Sequence, residues 1–236
     1  MKPQDFFDNH PVFTYEEFAS SVESKSNRTR DALLTYYVKK GRLLNVRRGL
    51  YAVVSSGTSP DKSPVDLDLI ASKLTSDAVL AYHTALELHG KAYSVRKNIT
   101  YLTGQRSRPL NFQECIFKAV SFPKALRKKH LKNFGVTKID RAGIDILVTG
   151  YERILVDVLD RPDLAGGWEE IWRSLESIEF FDLDRVVEYA LLLDNSTTAA
   201  KVGFYLEQHR ETLMVSKNHL DKLQSIRPRM PHYMVR

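Results

Sequence analysis

Residues 27–53 read NRTRDALLTYYVKKGRLLNVRRGLYAV. Helical periodicity runs up to Gly41, which suits a helix end because glycine adopts positive φ without steric cost. After Gly41 the pattern changes to LLNV, RRG and LYAVV, a β-hairpin with a basic, glycine-containing turn. Upstream, Thr14-Tyr15-Glu16-Glu17 is a capping box, in which Thr14 accepts from the third backbone amide of a helix while Glu17 reaches back to the cap. Phe13 stands where a hydrophobic staple belongs, and Phe18 and Val22 share one face of the short helix that follows. Ser24-Lys25-Ser26-Asn27 supplies a polar turn, so a second helix runs from about Arg28 to Lys40. Helix, turn, helix and basic hairpin in succession are the order of a winged helix-turn-helix, with Phe6 and Phe7 on a leading helix that completes its core.

The charge map supports a polyanion as partner. The formal charge is +6 over 236 residues, but residues 25–48 carry eight Lys/Arg against Asp31 alone, and residues 91–141 carry thirteen against Glu114 and Asp140. The intervening segments are net acidic. Cations gathered into two blocks of an acidic framework form surfaces for polyanions more readily than an even solubilising charge does. The densest part of the second block is Arg127-Lys128-Lys129-His130-Leu131-Lys132, which makes Arg127, Lys128, Lys129 and Lys132 candidates for a second nucleic-acid surface; a solvated face is the competing reading. With 43% hydrophobic residues and one cysteine, Cys115, the composition is that of a globular protein without an internal disulfide or cysteine zinc site. No signal-peptide pattern or membrane-span-length apolar run is present, so a cytoplasmic location is expected.

Residues 55–65, SSGTSPDKSPV, read as a polar linker. They divide the chain into a winged helix over residues 1–58 and a larger domain over residues 66–236. In the second domain, Asp66 to Leu74 and Ala78 to His89 read as helices. Strands are expected at Ile99–Thr103, Cys115–Val120, Val136–Ile139 and Ile144–Val148. Helices are expected near Tyr151–Leu159, Trp168–Leu175, Leu183–Leu193, Thr197–His209 and Ser216–Ile226. The fold class is therefore α+β: a winged helix followed by a mixed sheet and then helices.

Projected at about 100° per residue, the second helix of the motif turns Leu34, Tyr37 and Val38 inward with Leu33 flanking them. Arg28, Ala32, Thr35, Tyr36 and Lys39 lie opposite. A recognition helix enters the major groove amino end first, so Asn27, Arg28 and Thr29 are the candidates for base contacts. Thr35, Tyr36 and Lys39 lie nearer the DNA backbone, and Arg47 and Arg48 on the wing would neutralise phosphates or enter the minor groove. Enzymatic constellations do not assemble. Gly57-Thr58 with Asp66 and Asp68 superficially matches a nucleotidyltransferase signature, but that chemistry needs both carboxylates on a strand sharing a metal. Pro60 and Pro64 interrupt the segment, and Asp66 reads better as a helix N-cap. His83 and His89, six apart, fall on different faces of a helix, and Asp157, Asp160 and Asp163 alternate with Arg153 and Arg161 as local ion pairs. Neither cofactor nor metal is expected, and the chain does not read as an enzyme.

Three further stretches carry a resemblance. AYHTALELHG at 81–90, VTGYERILVDVLDRPDLAGGWEEIWRSL at 148–175 and KVGFYLEQ at 201–208 resemble, in matching order, the C-terminal domain of the AbiEi family of bacterial antitoxins. Val12 to Val53 resembles that family's winged helix. The likeness covers residues 12 to 210, with Ile154 departing from the small polar residue expected after the Glu-Arg pair. The resemblance implies an antitoxin of a type IV toxin-antitoxin, abortive-infection (phage-defence) system that also represses its own operon. Its partners would be double-stranded operator DNA and, functionally, a nucleotidyltransferase toxin encoded nearby, which such antitoxins oppose without a stable complex; no membrane is involved. Glu152, Arg153, Asp157, Asp160 and Arg161, polar residues in the most family-like stretch, are the candidates for the antitoxin role, with internal ion pairing as their alternative. The competing function is a transcription factor whose second domain senses a ligand or dimerises. An enzyme such as a metal-dependent nuclease acting through Asp157 and Asp160 is a further class.

Overall fold

The computed structural model describes residues 3–22, 26–55, 57–60, 63–226 and 228. The chain divides into two units, Met1–Ala78 and Val79–Arg236. The first consists of α1 (Pro3–Asn9), β1 (Val12–Thr14), α2 (Tyr15–Ser21), α3 (Asn27–Lys39), β2 (Leu43–Arg47), β3 (Leu50–Val53) and α4 (Leu67–Ser72). Its sheet has the order β1-β3-β2, all antiparallel, so β1 closes the hairpin from the side opposite β2. This is the winged helix expected from the sequence.

The capping box forms as read. Thr14 Oγ1 accepts from the Glu17 amide, and the Glu17 carboxylate accepts from the Thr14 amide at 2.7 Å. Phe13 and Phe18 complete the staple, their ring centroids 6.0 Å apart. Phe6, Phe7, Val22, Leu34 and Leu43 join them in the core, and Tyr37 and Tyr51 pack at its margin. So small a domain depends heavily on these rings, each of which buries a large apolar area. Ser26 is the N-cap of α3; the other residues of its expected cap turn, Ser24 and Lys25, lie outside the described residues, as do Ser56, Asp61 and Lys62 of the linker.

The linker is not where the two units part. Asp66 caps α4 through the amides of Asp68 and Leu69, as expected, but α4 belongs to the first unit. Lys73 at its end forms an ion pair with Glu17, and the Leu74 carbonyl accepts from Arg47. The segment after the wing thus folds back on the winged helix before the second unit begins.

The second unit contains β4 (Val79–Leu80), α5 (His83–Leu88), β5 (Asn98–Thr103), β6 (Leu110–Phe112), β7 (Cys115–Ser121), α6 (Lys124–Lys128), β8 (Val136–Arg141) and β9 (Ile144–Thr149). After these come α7 (Tyr151–Asp160), a 3-10 turn at Pro162–Leu164, α8 (Trp168–Glu176), α9 (Leu183–Leu192), α10 (Ser196–Gln208) and α11 (Lys217–Gln224). The six strands lie in the order β6-β7-β5-β4-β9-β8, with β5/β7 and β4/β9 parallel and the other pairs antiparallel. A mixed sheet followed by helices is the expected fold class. The single helix expected over Ala78–His89 is a correction: Val79–Leu80 is a strand, and the helix starts only at His83. Tyr82 between them has φ 57° and ψ −131°, a sharp reversal a continuous helix could not accommodate. β6 and α6 are additions to the reading.

α7 packs against α9 and α10, and α10 against α11. The helix α7 is buried from Arg153 to Leu159: Ile154, Leu155, Val156, Val158 and Leu159 form its apolar side, and the charged Arg153 and Asp157 are buried on the other. Gly166 and Gly167, both with positive φ, turn the chain into α8 as expected. A second buried anchor sits at the start of α5, where His83 Nε2 lies 3.1 Å from Glu170 Oε1 on α8. Glu170 also accepts from the Tyr93 and Ser94 amides, the Ser94 hydroxyl at 2.6 Å and Ser174 Oγ, so it organises the loop over residues 91–97. Burial alone would raise its pKa, but these hydrogen bonds and nearby His83 hold it below the ordinary value of 4.5. A depressed folded-state pKa contributes stability that is present above the unfolded pKa and lost as pH falls through the folded one. Glu170→Gln should therefore cost about 1–3 kcal/mol near neutral pH. Its melting-temperature gap to the parent should close progressively below pH 4.5. A gap independent of pH would show that the carboxylate charge contributes nothing.

Candidate nucleic-acid interface

The outer face of α3 is the candidate interface, and the way its first turn is held decides which side chains remain available. Ser26 Oγ accepts from the Thr29 amide and lies 2.9 Å from the Thr29 hydroxyl. Asn27 Oδ1 accepts from the Arg30 guanidinium at 2.9 Å, and Arg30 also donates to the Val22 carbonyl at the end of α2. Arg30 thereby pins the recognition helix to the helix before it, a role the sequence reading did not assign. Burial, and then the nearby carboxylate of Asp31 on α3, push the pKa of Tyr15 on α2 upward.

Asn27, Arg28 and Thr29 are all exposed, but Thr29 and Asn27 each have one group committed to the cap or to Arg30. Among the described residues Arg28 has no such commitment. Its five donors are free for a bidentate contact with a guanine edge or a phosphate. Further along, Thr35, Tyr36 and Lys39 are exposed, as the projection requires, while Leu34 is buried and Leu33, Tyr37 and Val38 are half-buried. Tyr36 is 53% exposed and edge-on to Tyr37, with the Lys40 ammonium 5.8 Å from its ring centroid.

On the wing, Arg48 is exposed at the β2–β3 turn beside Gly49, whose φ of 79° makes the tight reversal possible. Arg47 differs from the expectation that both arginines project from the tip. A bulge between Asn45 and Arg47 turns its half-buried side chain back to donate to the Leu74 carbonyl. The wing cation left for a polyanion is Arg48.

In the second unit, α6 exposes Arg127 and Lys128, and Lys129 follows at its C-cap. Cations there also complement the negative end of the helix dipole. Lys129 reaches the Leu192 carbonyl at 3.5 Å, and Lys132 lies 5.5 Å from the Phe122 ring centroid.

The five antitoxin candidates separate. Arg153 and Asp157 are fully buried, so as residues that touch a partner they are corrected: they form an internal pair, Nε to Oδ2 at 3.2 Å. The Tyr189 hydroxyl donates to Asp157 at 2.6 Å, and Arg153 donates to the carbonyls of Lys132 and Phe134. Asp160 accepts from the Thr198 hydroxyl and the Asn195 side-chain amide at the start of α10, and Glu152 accepts from the Asp182 amide. Arg161 is exposed, 3.8 Å from Asp163. No group of three His, Cys, Asp or Glu placed to hold a metal occurs among the described residues, and no helix there is long and apolar enough to cross a membrane.

Comparison with known proteins places this geometry. No curated protein matches the sequence. The whole fold is similar to the crystal structure of the RV2827C protein from Mycobacterium tuberculosis, at a TM-score of 0.61 and 17% sequence identity, covering 97% of this chain and 80% of that one. Residues 1–54, which hold the capping box, α3 and the wing, match the family described as "Transcriptional regulator, AbiEi antitoxin". Over its first 54 residues, which hold the winged helix, the chain is therefore similar to that family of transcriptional regulators.

Proposed function

We propose that the protein binds operator DNA through α3 and the wing, represses its own operon, and acts as the antitoxin to a nucleotidyltransferase toxin encoded beside it. The observation that carries the DNA half is the outer face of α3: an exposed, uncommitted Arg28 flanked by Asn27 and Thr29, on a winged helix of a transcriptional-regulator family. Lys39 and Arg48, both exposed, are the cations proposed to contact phosphates and so fix the register of such a helix. The antitoxin half rests on family likeness, and among its candidates Glu152, Asp160 and Arg161 keep some exposure. Arg127, Lys128, Lys129 and Lys132 are proposed as a second contact to a polyanion. In the alternative, a transcription factor without antitoxin role, repression would be intact and toxin survival unaffected by the protein.

The test is a salt series of fluorescence anisotropy with the full chain on its own promoter and on random duplex. Tighter binding to the promoter, with log affinity falling linearly against log salt, is the expected result. Arg48→Ala should reduce the slope by about one, the signature of one lost phosphate contact. Arg47→Ala should leave the slope unchanged and instead lower the melting temperature, because that side chain braces α4. Equal affinity for both duplexes would remove the operator from the proposal, and an unchanged slope for Arg48→Ala would remove the wing.

A further inference from the structure

We infer that two copies of this chain pair through β8, edge to edge, into one continuous sheet around a two-fold axis at Ile139. β8 is the terminal strand of the six-stranded sheet, and among the described residues β9 is the one strand bonded to it. The hairpin between them turns on Ala142 and Gly143, both with positive φ, and closes on the pair Arg141↔Ile144. In a two-residue hairpin the closing pair exchanges hydrogen bonds, and the pattern then alternates. Arg141, Ile139 and Thr137 consequently bond β9, while the amides and carbonyls of Asp140 and Lys138 point away from the sheet. Among the described residues nothing takes up these main-chain groups. Both side chains are exposed as well.

Charge selects the partner and the register. An antiparallel mate must set outward-pointing residues opposite one another, which leaves three two-fold registers near the centre of the strand. One opposes Lys138 to its own copy and another opposes Asp140 to its own copy; both juxtapose like charges. The third is centred on Ile139 and opposes Lys138 to Asp140 twice. It forms hydrogen-bonded pairs at both places and brings the two Ile139 side chains together across the axis. The strand is thus complementary to itself in charge and in hydrogen-bond phase, as an isologous contact requires.

The existing hairpin leaves a charge to be met. Asp140 stands directly across from Asp145, and the Asp145 carboxylate is held by Lys138 at 3.1 Å. Asp140 itself accepts from the Gly143 amide at 3.4 Å, and Lys138 of a second copy would bring it a cation. Exposed edges are commonly blunted by charges that repel an incoming strand. The Lys-Ile-Asp sequence does not repel its own two-fold mate.

Sedimentation velocity of the full chain in low salt, without DNA, tests the pairing independently of any function. The parent should move from one chain mass toward two as concentration rises. Lys138→Asp and Asp140→Lys should each raise the dissociation constant about tenfold or more, since each change creates two like-charge oppositions. The double exchange, Lys138→Asp with Asp140→Lys, restores opposite charges across the axis and should recover the dimer. Circular dichroism and melting temperature check that all variants are folded. A parent that stays monomeric at every concentration overturns the proposal and leaves the edge to an extended segment of another protein. A dimer equally strong in both single variants, or one the double exchange fails to restore, overturns it too.

Discussion

Arg153→Met should destabilise the protein by about 3–5 kcal/mol, enough to leave a domain of ordinary stability substantially unfolded at physiological temperature. Arg153 and Asp157 are buried four residues apart on α7, and the pair does not stand alone. The guanidinium donates to the Lys132 and Phe134 carbonyls at 2.9 and 2.8 Å, tying the chain after α6 to α7. It lies 5.5 Å from the Tyr189 ring centroid, and Tyr189 in turn donates to Asp157. Gly135 has φ 61° and no room for a side chain, since a Cβ there would come within 2.9 Å of Arg153 Cβ. Removing the cation leaves Asp157 in an apolar surround, where burial pushes its pKa up, and leaves two carbonyls without a donor. Because a buried pair is not itself strongly stabilising, Arg153→Met combined with Asp157→Leu should recover much of the loss. Urea denaturation of the three variants measures this. If Arg153→Met melts with the parent, the pair is not structural, and a functional role for Arg153 in toxin neutralisation returns.

The winged helix was legible because its signals are local. The Thr14–Glu17 capping box, the Gly41 helix end and the glycine-containing hairpin turn each act within a few residues, and each forms, with the turn narrowed to Arg48-Gly49. The second unit was less so where burial is two-sided. AVLAY at 78–82 is apolar at every position, a pattern equally compatible with a buried strand and a buried helix, and the reversal at Tyr82 leaves no mark in composition. β6 is three residues long and α6 five, below the length at which periodicity speaks. For Arg153 and Asp157 polarity alone leaves partner contact and internal ion pairing both open, and the structure shows the pair. At about 100° per residue Ile154, Leu155, Val156, Val158 and Leu159 span one broad side of α7, and Arg153, Asp157 and Asp160 share the remaining arc as a solvated face would, so the burial of Arg153 and Asp157 has no local signal. Arg47 could not have been placed from the sequence, because its acceptor, the Leu74 carbonyl, lies 27 residues away beyond the linker.

Replacing Asn27, Arg28 and Thr29 together by Ala should abolish selective operator binding and derepress the promoter, while leaving protection from the neighbouring toxin intact. Each base contact contributes about 1–3 kcal/mol of discrimination, so the loss at the operator should reach at least two orders of magnitude. Binding to random duplex should fall far less, because it depends on phosphate contacts such as those proposed for Lys39 and Arg48. The Ser26 cap is retained in this variant, but Arg30 loses its Asn27 acceptor, and a small decrease in melting temperature is expected. Arg28→Ala alone should account for the largest single share, since Arg28 is the one of the three whose side chain is uncommitted. The converse variant changes Glu152, Asp160 and Arg161, the antitoxin candidates that retain exposure, and should lose protection while keeping repression. Promoter-reporter output and survival under toxin expression, measured in the same cells, separate the two activities. If the α3 variant loses repression and protection together while remaining folded, protection works through control of transcription, and the second unit has no antitoxin activity of its own. If folded variants at Glu152, Asp160 and Arg161 still neutralise the toxin, that stretch is structural throughout, and the exposed cations around α6 become the surface to change next.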